Sequence, residues 1–467
     1  MHDITLTRAA QPRISIPSLR RGFAGQVIDP GDDGYDQART VFFGGHDQQP
    51  AVIVRPTGAT GVAQVVDLAR ETGLELAVRS GGHSTAGHST TSGGILLDLS
   101  AMKALDIDPA RRIARAQTGL TTGEYTTAAA EYGLATGFGD TGSVGLGGIT
   151  LGGGIGYLVR KHGLSIDSLL AAEMVAADGR VVRTDRDHHP ELFWAIRGGG
   201  GNFGVATRLE FRLHPVGTVL GGMLVLPATP EVIAGFVAEA EAASEQLSTI
   251  ANVIAAPPLP FVPEELHGRP IVMAMLCWAG ETEAGQRALA PFRALAEPIA
   301  DMIRAMPYPG MFPPADGDRH PHMAGRIMFV NQVDEDVAGT ILSHLQAPGV
   351  GMRGVELRVL GGAMARVPVE ATAFAHRHRR IMVNVVAFTG GPEERATGQA
   401  WVDGFAAALE QGDGGAYVNF LGDEGPARVR AAYPGSTWDR LVAVKRRWDP
   451  ENLFRRNQNI PPELGGR

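Results

Sequence analysis

The sequence predicts an α+β protein of two domains, on three observations. The chain has 467 residues, more than one hydrophobic core usually supports. Up to about residue 215, short β-branched runs alternate with helix-period segments, and glycines cluster at 79–94, 137–156 and 198–204. Near residue 216 the character changes. The glycine clusters stop, prolines become common (PPLPFVP, 257–263; PYPGMFPP, 307–314), and helices with wide apolar faces follow, such as EVIAGFVAEAEAASEQL. The expected division is 1–215 for the first part of one domain, 216–429 for a second domain, and 430–467 for a C-terminal return to the first.

The elements follow in order. PAVIVRP (50–56) reads as a buried strand closed by prolines, and Thr57 or Thr60 can cap a helix carrying Val62, Val65, Val66 and Ala69 that ends at Gly73. LELAVRS (74–80) is the next strand, which completes a β-α-β unit and delivers the turn Gly81–Gly82–His83. GILLDLS and ARRIARAQTG are further strands, and Thr121 to Tyr132 is a helix closed by Gly133. SLLAAEMVAADGRVVRTD reads as a hairpin turning at Asp178–Gly179, ELFWAI as a short helix and GVATRLEFRLHPV as an alternating strand. VKRRWDPENLFRRNQNIPP (444–462) reads as a docking segment.

Composition narrows the function. The chain is 44% hydrophobic and 20% charged, the balance of a soluble globular protein, and no apolar run is long enough to span a bilayer. The first residues, MHDITLTRAAQPRIS, show no signal-peptide pattern. A single cysteine, Cys277, rules out an intrachain disulfide, and a cytoplasmic protein is expected. A net charge of −8 argues against nucleic acid.

Glycine is the outlier: 62 residues, nearly twice the roughly 7% of ordinary usage. The run Gly199-x-Gly201-x-x-Gly204 has a helix before it and a strand after it, the inverse of a dinucleotide fingerprint, so a Rossmann site is rejected. His188–His189, His320–Pro321–His322 and His376–Arg377–His378 lack ligand partners at metal spacing and read as surface or capping histidines, so no metal is expected. The stretch GDTGSVGLGGITLGGGIGYLVRKHGL (139–164) is too apolar for a free loop, because Val144, Leu146, Ile149, Leu151, Ile155 and Leu158 prefer burial. A glycine-rich backbone packed against a flat ligand fits better, with its N–H groups available to a diphosphate.

Four segments, RSGGHSTAGHS (79–89), GLGGITLGGGIG, RGGGGNFGV (197–205) and DPENLFRRNQNIPP (449–462), resemble covalent flavoproteins of the vanillyl-alcohol-oxidase type, in the berberine-bridge-enzyme-like branch. The likeness runs from about residue 25 to 462 and is nearest to single-anchor bacterial members that tailor polyketides, such as the enterocin favorskiase. It implies an α+β two-domain flavoprotein. FAD would lie along the first domain, and an antiparallel sheet backed by helices would roof it. It implies that His83 bonds the flavin 8α-carbon, that Ser80, Gly81, Gly82 and Ser84 serve the diphosphate, and that Arg79, Gly87 and His88 belong to the same cofactor segment. Thr141, Gly142, Gly145, Gly147, Gly148, Gly152 and Gly154 belong to the second cofactor segment. Gly204, Val205, Tyr417, Asn419 and Asn457 complete the set.

Many relatives carry a second bond, from a cysteine in G-x-C-x-x-V-G. Here Thr141 stands in that place, so a single anchor with no cysteinyl bond is implied, along with a less open site less suited to bulky oligosaccharides. Val144 occupies the position held to gate oxygen, and valine resembles the oxidases. The family's Y-x-N-Y strand, whose last tyrosine serves as base, reads Tyr417-Val418-Asn419-Phe420, so that role is vacant. Glu356 is the favoured substitute, since a carboxylate facing an apolar cavity holds its proton more tightly. Its alternative is an exposed strand residue paired with Arg358 or Arg366. Tyr417 and Asn384 are secondary pocket candidates, and Met275, Phe329 and Leu360 are candidate apolar walls.

The implied reaction is hydride transfer from a small or medium alcohol, phenol, amine or polyketide-like compound to FAD, with reoxidation by O2 to H2O2. The implied partners are substrate and O2, with no nucleic acid or membrane, and the protein would act as a monomer or homodimer. An oxygenase or dehydrogenase on the same scaffold, or a non-catalytic flavin binder, stays open at this point.

Overall fold

The computed structural model describes residues 14–312, 319–347, 351–412 and 414–463. The N-terminal stretch read for a signal peptide therefore lies largely outside the described residues. Among them, no helix is long and apolar enough to cross a membrane.

Among the described residues, the first half holds two larger sheets and a small one that pairs Leu134–Ala135 with His214–Pro215. In one, Gly25–Ile28 runs antiparallel to Val52–Pro56, and Ile95–Asp98 lies parallel between Val52–Pro56 and Leu76–Arg79. The helix Ala59–Thr72 supplies the crossover, burying Val62, Val65, Val66 and Ala69 against this sheet, and Gly73 ends it at φ 66°. Its cap differs from the sequence expectation. Gly58 is the N-cap and makes no side-chain bond, because Thr57 turns its hydroxyl to the Ala24 carbonyl and Thr60 lies inside the helix. The second sheet is five-stranded: Leu105–Asp108, Ile113–Gln117, Val205–Arg212, Leu169–Val175, Val181–Asp185. Its last two strands are the expected hairpin. The helix Thr122–Ala130 opens on Thr121, whose hydroxyl accepts from the Glu124 amide while Glu124 returns a bond to the Thr121 amide.

From Thr218 the chain builds an eight-stranded antiparallel sheet. Its order is Ala300–Asp301, Thr218–Pro227, Pro270–Trp278, Leu247–Ala255, Met352–Val359, Ile381–Thr389, His322–Val330, with Arg304–Pro307 also on Thr218–Pro227. Strand alternation gives this sheet two unlike faces. Val355, Leu357, Val359, Val383 and Val385 pack under the helices Pro230–Ala242, Thr282–Arg293, Glu335–Gln346 and Arg395–Leu409. Asn252, Glu356, Arg358, Asn384, Val386 and Phe388 point the other way. The helices Pro426–Ala432 and Ser436–Trp448 then return to the first half. Their Val429, Trp438, Leu441 and Trp448 share one core with Leu192, Trp194 and Phe203.

Candidate active site

Between the glycine-rich segments and the free face of the large sheet lies a cavity of about 610 Å³. Its floor begins where the strand Leu76–Arg79 ends. Arg79 turns inward, donating to the Thr40 carbonyl at 3.1 Å, the Ala38 carbonyl and the Asp98 carboxylate at 2.8 Å. It anchors the strand and stands behind the cavity lining. Beyond it, the first and second glycine segments touch backbone to backbone. A Cβ on Gly81 would lie 2.1 Å from the Gly145 nitrogen, and one on Gly145 would lie 2.0 Å from the Gly81 nitrogen. No side chain fits at either place.

His83 projects from this junction into the cavity. Its ring stacks on Phe42 at 4.0 Å and 19°, and Nε2 sits 3.1 Å from the Ser143 hydroxyl. Burial pulls its pKa down to about 4, so the imidazole is neutral at physiological pH. His88, also at the cavity, is held down to about 4 for the same reason. Ser80 donates to the Thr118 carbonyl at 2.5 Å and accepts from the Gly147 amide at 3.3 Å, which ties the two glycine segments together.

The second segment becomes the short helix Leu146–Gly152, whose Gly147 and Gly148 line the cavity. An added Cβ at Gly148 would meet no protein atom within 4 Å. Tyr417, Val418, Asn419 and Phe420 form a 3-10 turn closed by the Phe420 amide on the Tyr417 carbonyl at 2.9 Å, not the strand expected of the motif. The Tyr417 hydroxyl accepts from the Gly154 amide at 2.8 Å and from Asn419 Nδ2 at 2.9 Å, and burial pushes its pKa up to about 12. It lines the cavity and braces the glycine segment, and a phenol that keeps its proton at neutral pH is ill suited to accept another. Asn419 Nδ2 also donates to the Ile149 carbonyl at 3.0 Å.

The third side comes from Gly200, Gly201, Gly204 and Val205 together with the C-terminal return, through Phe454, Arg456, Asn457 and Gln458. A fully buried ion pair fixes that return. Lys445 Nζ donates to Asp449 at 2.7 Å, to the Asn202 carbonyl at 2.8 Å and to the Phe454 carbonyl at 2.9 Å, and Asp449 accepts the Leu453 and Phe454 amides. Asn457 Nδ2 donates to the Gly201 and Phe454 carbonyls, while its Oδ1 is buried with no partner. An orphaned acceptor on a cavity wall is what a bound ligand with N–H groups would satisfy.

The roof is the sheet. Glu356 pairs in register with Asn252 on one side and Asn384 on the other. Part of each expectation meets here: Glu356 faces the cavity and is not exposed, and its Oε1 accepts from Arg358 Nε at 2.6 Å. Its surroundings are therefore ionic, not the apolar ones expected. Arg358, 3% exposed, also pairs with Asp140, donates to the Ile155 carbonyl at 3.3 Å and lies 5.1 Å from the Phe420 ring centroid. Arg366 pairs instead with Glu245.

The structure thus gathers at the cavity His83, Ser80, Gly81, Gly82, Ser84, His88, Thr141, Val144, Gly145, Gly147, Gly148, Gly204, Val205, Glu356, Asn384, Tyr417, Asn419 and Asn457. Gly87, Gly142, Gly152 and Gly154 stand behind that lining. A Cβ at Gly87 would strike His46, at Gly152 Asn419, and at Gly154 Ser165, while Gly142 takes the Gly123 amide on its carbonyl. Met275, Phe329 and Leu360 pack in cores, and Phe42, Phe43, Met323, Val386 and Phe388 supply the apolar wall. His376 is buried against Phe329, not at the surface. Cys277 is buried in the strand Pro270–Trp278, where burial pushes its thiol up to about 12, and it does not line the cavity. Sequence reasoning missed Arg358, Asp140 and Asn252 as site residues. Arg358 had a signal: two positions from Glu356 on a strand, it shares its face.

Comparison with known proteins agrees with this geometry. Residues 50–185 match the FAD binding domain family, and residues 416–461 match the berberine and berberine-like family. The chain is 33% identical over 466 residues to (R)-6-hydroxynicotine oxidase of Paenarthrobacter nicotinovorans, covering 94% of this chain and 97% of that protein. The crystal structure of 6-hydroxy-D-nicotine oxidase from Arthrobacter nicotinovorans superposes with a TM-score of 0.85 at 29% identity, covering 94% of this chain and 98% of that one. Glucooligosaccharide oxidase from Acremonium strictum, described with a 6-S-cysteinyl, 8α-N1-histidyl FAD, shares the fold with a TM-score of 0.82 at 21% identity, covering 94% of this chain and 98% of that one. The cavity fits FAD, on the orphaned Asn457 oxygen and the open glycine cradle at Gly148. The chain belongs to the berberine-bridge-enzyme-like FAD-linked oxidoreductases of vanillyl-alcohol-oxidase fold, and it is an enzyme acting on a small molecule with FAD.

Proposed function

We propose that this protein is an oxidase of small or medium organic alcohols, phenols or amines, polyketide-like hydroxyl compounds included, with FAD bonded to His83 alone. Residues 1–215 with 430–467 would form the FAD unit and 216–429 the substrate unit. The observation that carries the reading is Glu356: a carboxylate on the cavity face of the sheet, opposite the His83 floor, between Asn252 and Asn384.

When bound, FAD would accept a hydride from the substrate carbon and return the electrons to O2 as H2O2. The chain's own residues would do the rest. His83 is neutral and held flat between Phe42 and Ser143, a state suited to a single covalent anchor. Thr141 offers no thiolate for a second bond, and Cys277 is buried away from the cavity. Gly81, Gly82, Gly147, Gly148 and Asn457 would hold the cofactor. Glu356 would take the hydroxyl or ammonium proton at a carboxylate oxygen as the C–H bond breaks. Asn252 and Asn384 would orient the same substrate group, and Phe388, Val386, Met323 and Phe43 would enclose its carbon frame and exclude water. Asp140, Arg358 and Glu356 together carry two carboxylates and one guanidinium, a net negative charge that favours amines over anionic substrates. Val144 at the cavity supports an oxidase over an oxygenase. The single buried cysteine suits a reducing, cytoplasmic setting.

A peroxide-coupled screen of alcohols, phenols, amines and sugars tests this reading, run beside Glu356→Gln. The variant should keep its FAD and lose about 10²–10⁴-fold in kcat/KM. Full activity in the variant would remove Glu356 from the chemistry.

A further inference from the structure

We propose that Arg358 is a positioning residue shared between Glu356 and Asp140, so that the charge on Asp140 helps set the protonation of Glu356 through the guanidinium they share. Three observations carry it. Glu356 and Arg358 lie two apart on the strand Met352–Val359, and Arg358 Nε holds Glu356 Oε1 at 2.6 Å. The same guanidinium reaches across to Asp140, in the loop that also carries Thr141 and Val144. Its remaining bond goes to the Ile155 carbonyl at 3.3 Å, and Phe420 covers its carbon, so it has one seat.

The groups facing Glu356 are few. On its own strand there is Arg358. The neighbouring strands offer only the uncharged Asn252 and Asn384. From the glycine-rich side come Asp140 and Tyr157, and burial foremost, with Asp140 adding to it, pushes the Tyr157 phenol far up, so it contributes no charge. Arg358 therefore divides one positive charge between two carboxylates, and it is held firmly protonated by both despite its burial. Buried ion pairs keep a particular geometry when every partner is in place, and removing one leaves an uncompensated charge. Neutralising Asp140 should give Glu356 the undivided cation. Removing Arg358 should leave two carboxylates at one cavity edge, and like charges favour protonation.

This rests on the reading of Glu356 as proton acceptor for its catalytic meaning but not for its measurement. The experiment is a difference-infrared pH titration of the FAD-loaded enzyme, with no substrate, in which the Glu356 carboxyl band is identified by its loss in Glu356→Gln. In Arg358→Met that band should titrate about 1–3 pH units higher than in the wild type. In Asp140→Asn it should titrate lower, by about 1 unit or less, and in Arg358→Lys it should stay near the wild-type position. Titration of Asp140→Asn at the wild-type position, or of Arg358→Lys as far from it as expected for Arg358→Met, overturns the proposal. Those two variants decide it even if Arg358→Met fails to fold. Kinetics of Glu356→Gln test the proton-acceptor reading separately, so either claim can fail alone.

Discussion

Glycine backbone forms much of the lower side of the cavity, beside His83, His88 and Val144, and side chains line the upper. Below, Gly81 and Gly145 meet so closely that a single Cβ would collide, and Gly147, Gly148, Gly201 and Gly204 continue the surface. Above, Asn252, Glu356, Arg358, Asn384, Val386 and Phe388 stand from three adjacent strands. A backbone surface offers shape and N–H groups, which suits a ligand whose form does not vary. A side-chain surface can change residue by residue while its helix-backed core, Val355, Leu357, Val383 and Val385, stays put. If the lower side holds the cofactor and the upper the substrate, as proposed, one cavity recognises the two by different kinds of matter, and damage to each side should read out differently.

The largest effect should come from the upper side. Glu356→Gln should remove most turnover, as given above, and leave FAD content and stability nearly unchanged. A loss of FAD in this variant would blur the separation of the two sides. Next is the buried pair beneath the C-terminal return. Lys445→Met strands Asp449 with neither water nor a cation, so urea unfolding should show a loss of about 3–5 kcal/mol. An unchanged midpoint would mean that Phe454 and Asn457 are held by other contacts. Gly81→Ala should follow, with about 1–3 kcal/mol lost to overpacking and a measurable fall in FAD per protein, because its Cβ falls 2.1 Å from the Gly145 nitrogen. Should that variant bind FAD normally, the backbone contact is softer than described. The smallest change is Tyr417→Phe. It frees the Gly154 amide and should cost about 1–3 kcal/mol in thermal unfolding while leaving the pH profile of turnover alone. A lost acid or base limb would instead restore Tyr417 to the chemistry.

The same contrast explains what could be read from residues alone. Glycine in a soluble apolar stretch has few uses, so the segments 79–94, 137–156 and 198–204 pointed to a ligand-bearing backbone, and the structure brings all three to one cavity. The β-α-β unit and the Asp178–Gly179 hairpin were legible because periodicity and turn chemistry are local. The upper side was not. Asn252, Glu356 and Asn384 come together only through strand register, which no local pattern encodes. The Asp140–Arg358 pair joins residues more than two hundred apart in sequence. Met275, Phe329 and Leu360 failed as wall residues because alternation says that faces differ, not which one meets the cavity. Arg79 and Gly87 shared a segment with His83 without sharing its direction.

The most direct measurement concerns the bond to His83. The purified enzyme is denatured in acid and passed through a membrane that retains only protein. The yellow colour should stay with the polypeptide, and His83→Ala, which still offers the glycine cradle, should release all of it into the filtrate. Free FAD in the wild-type filtrate, with a colourless protein above it, would contradict a covalent anchor at His83.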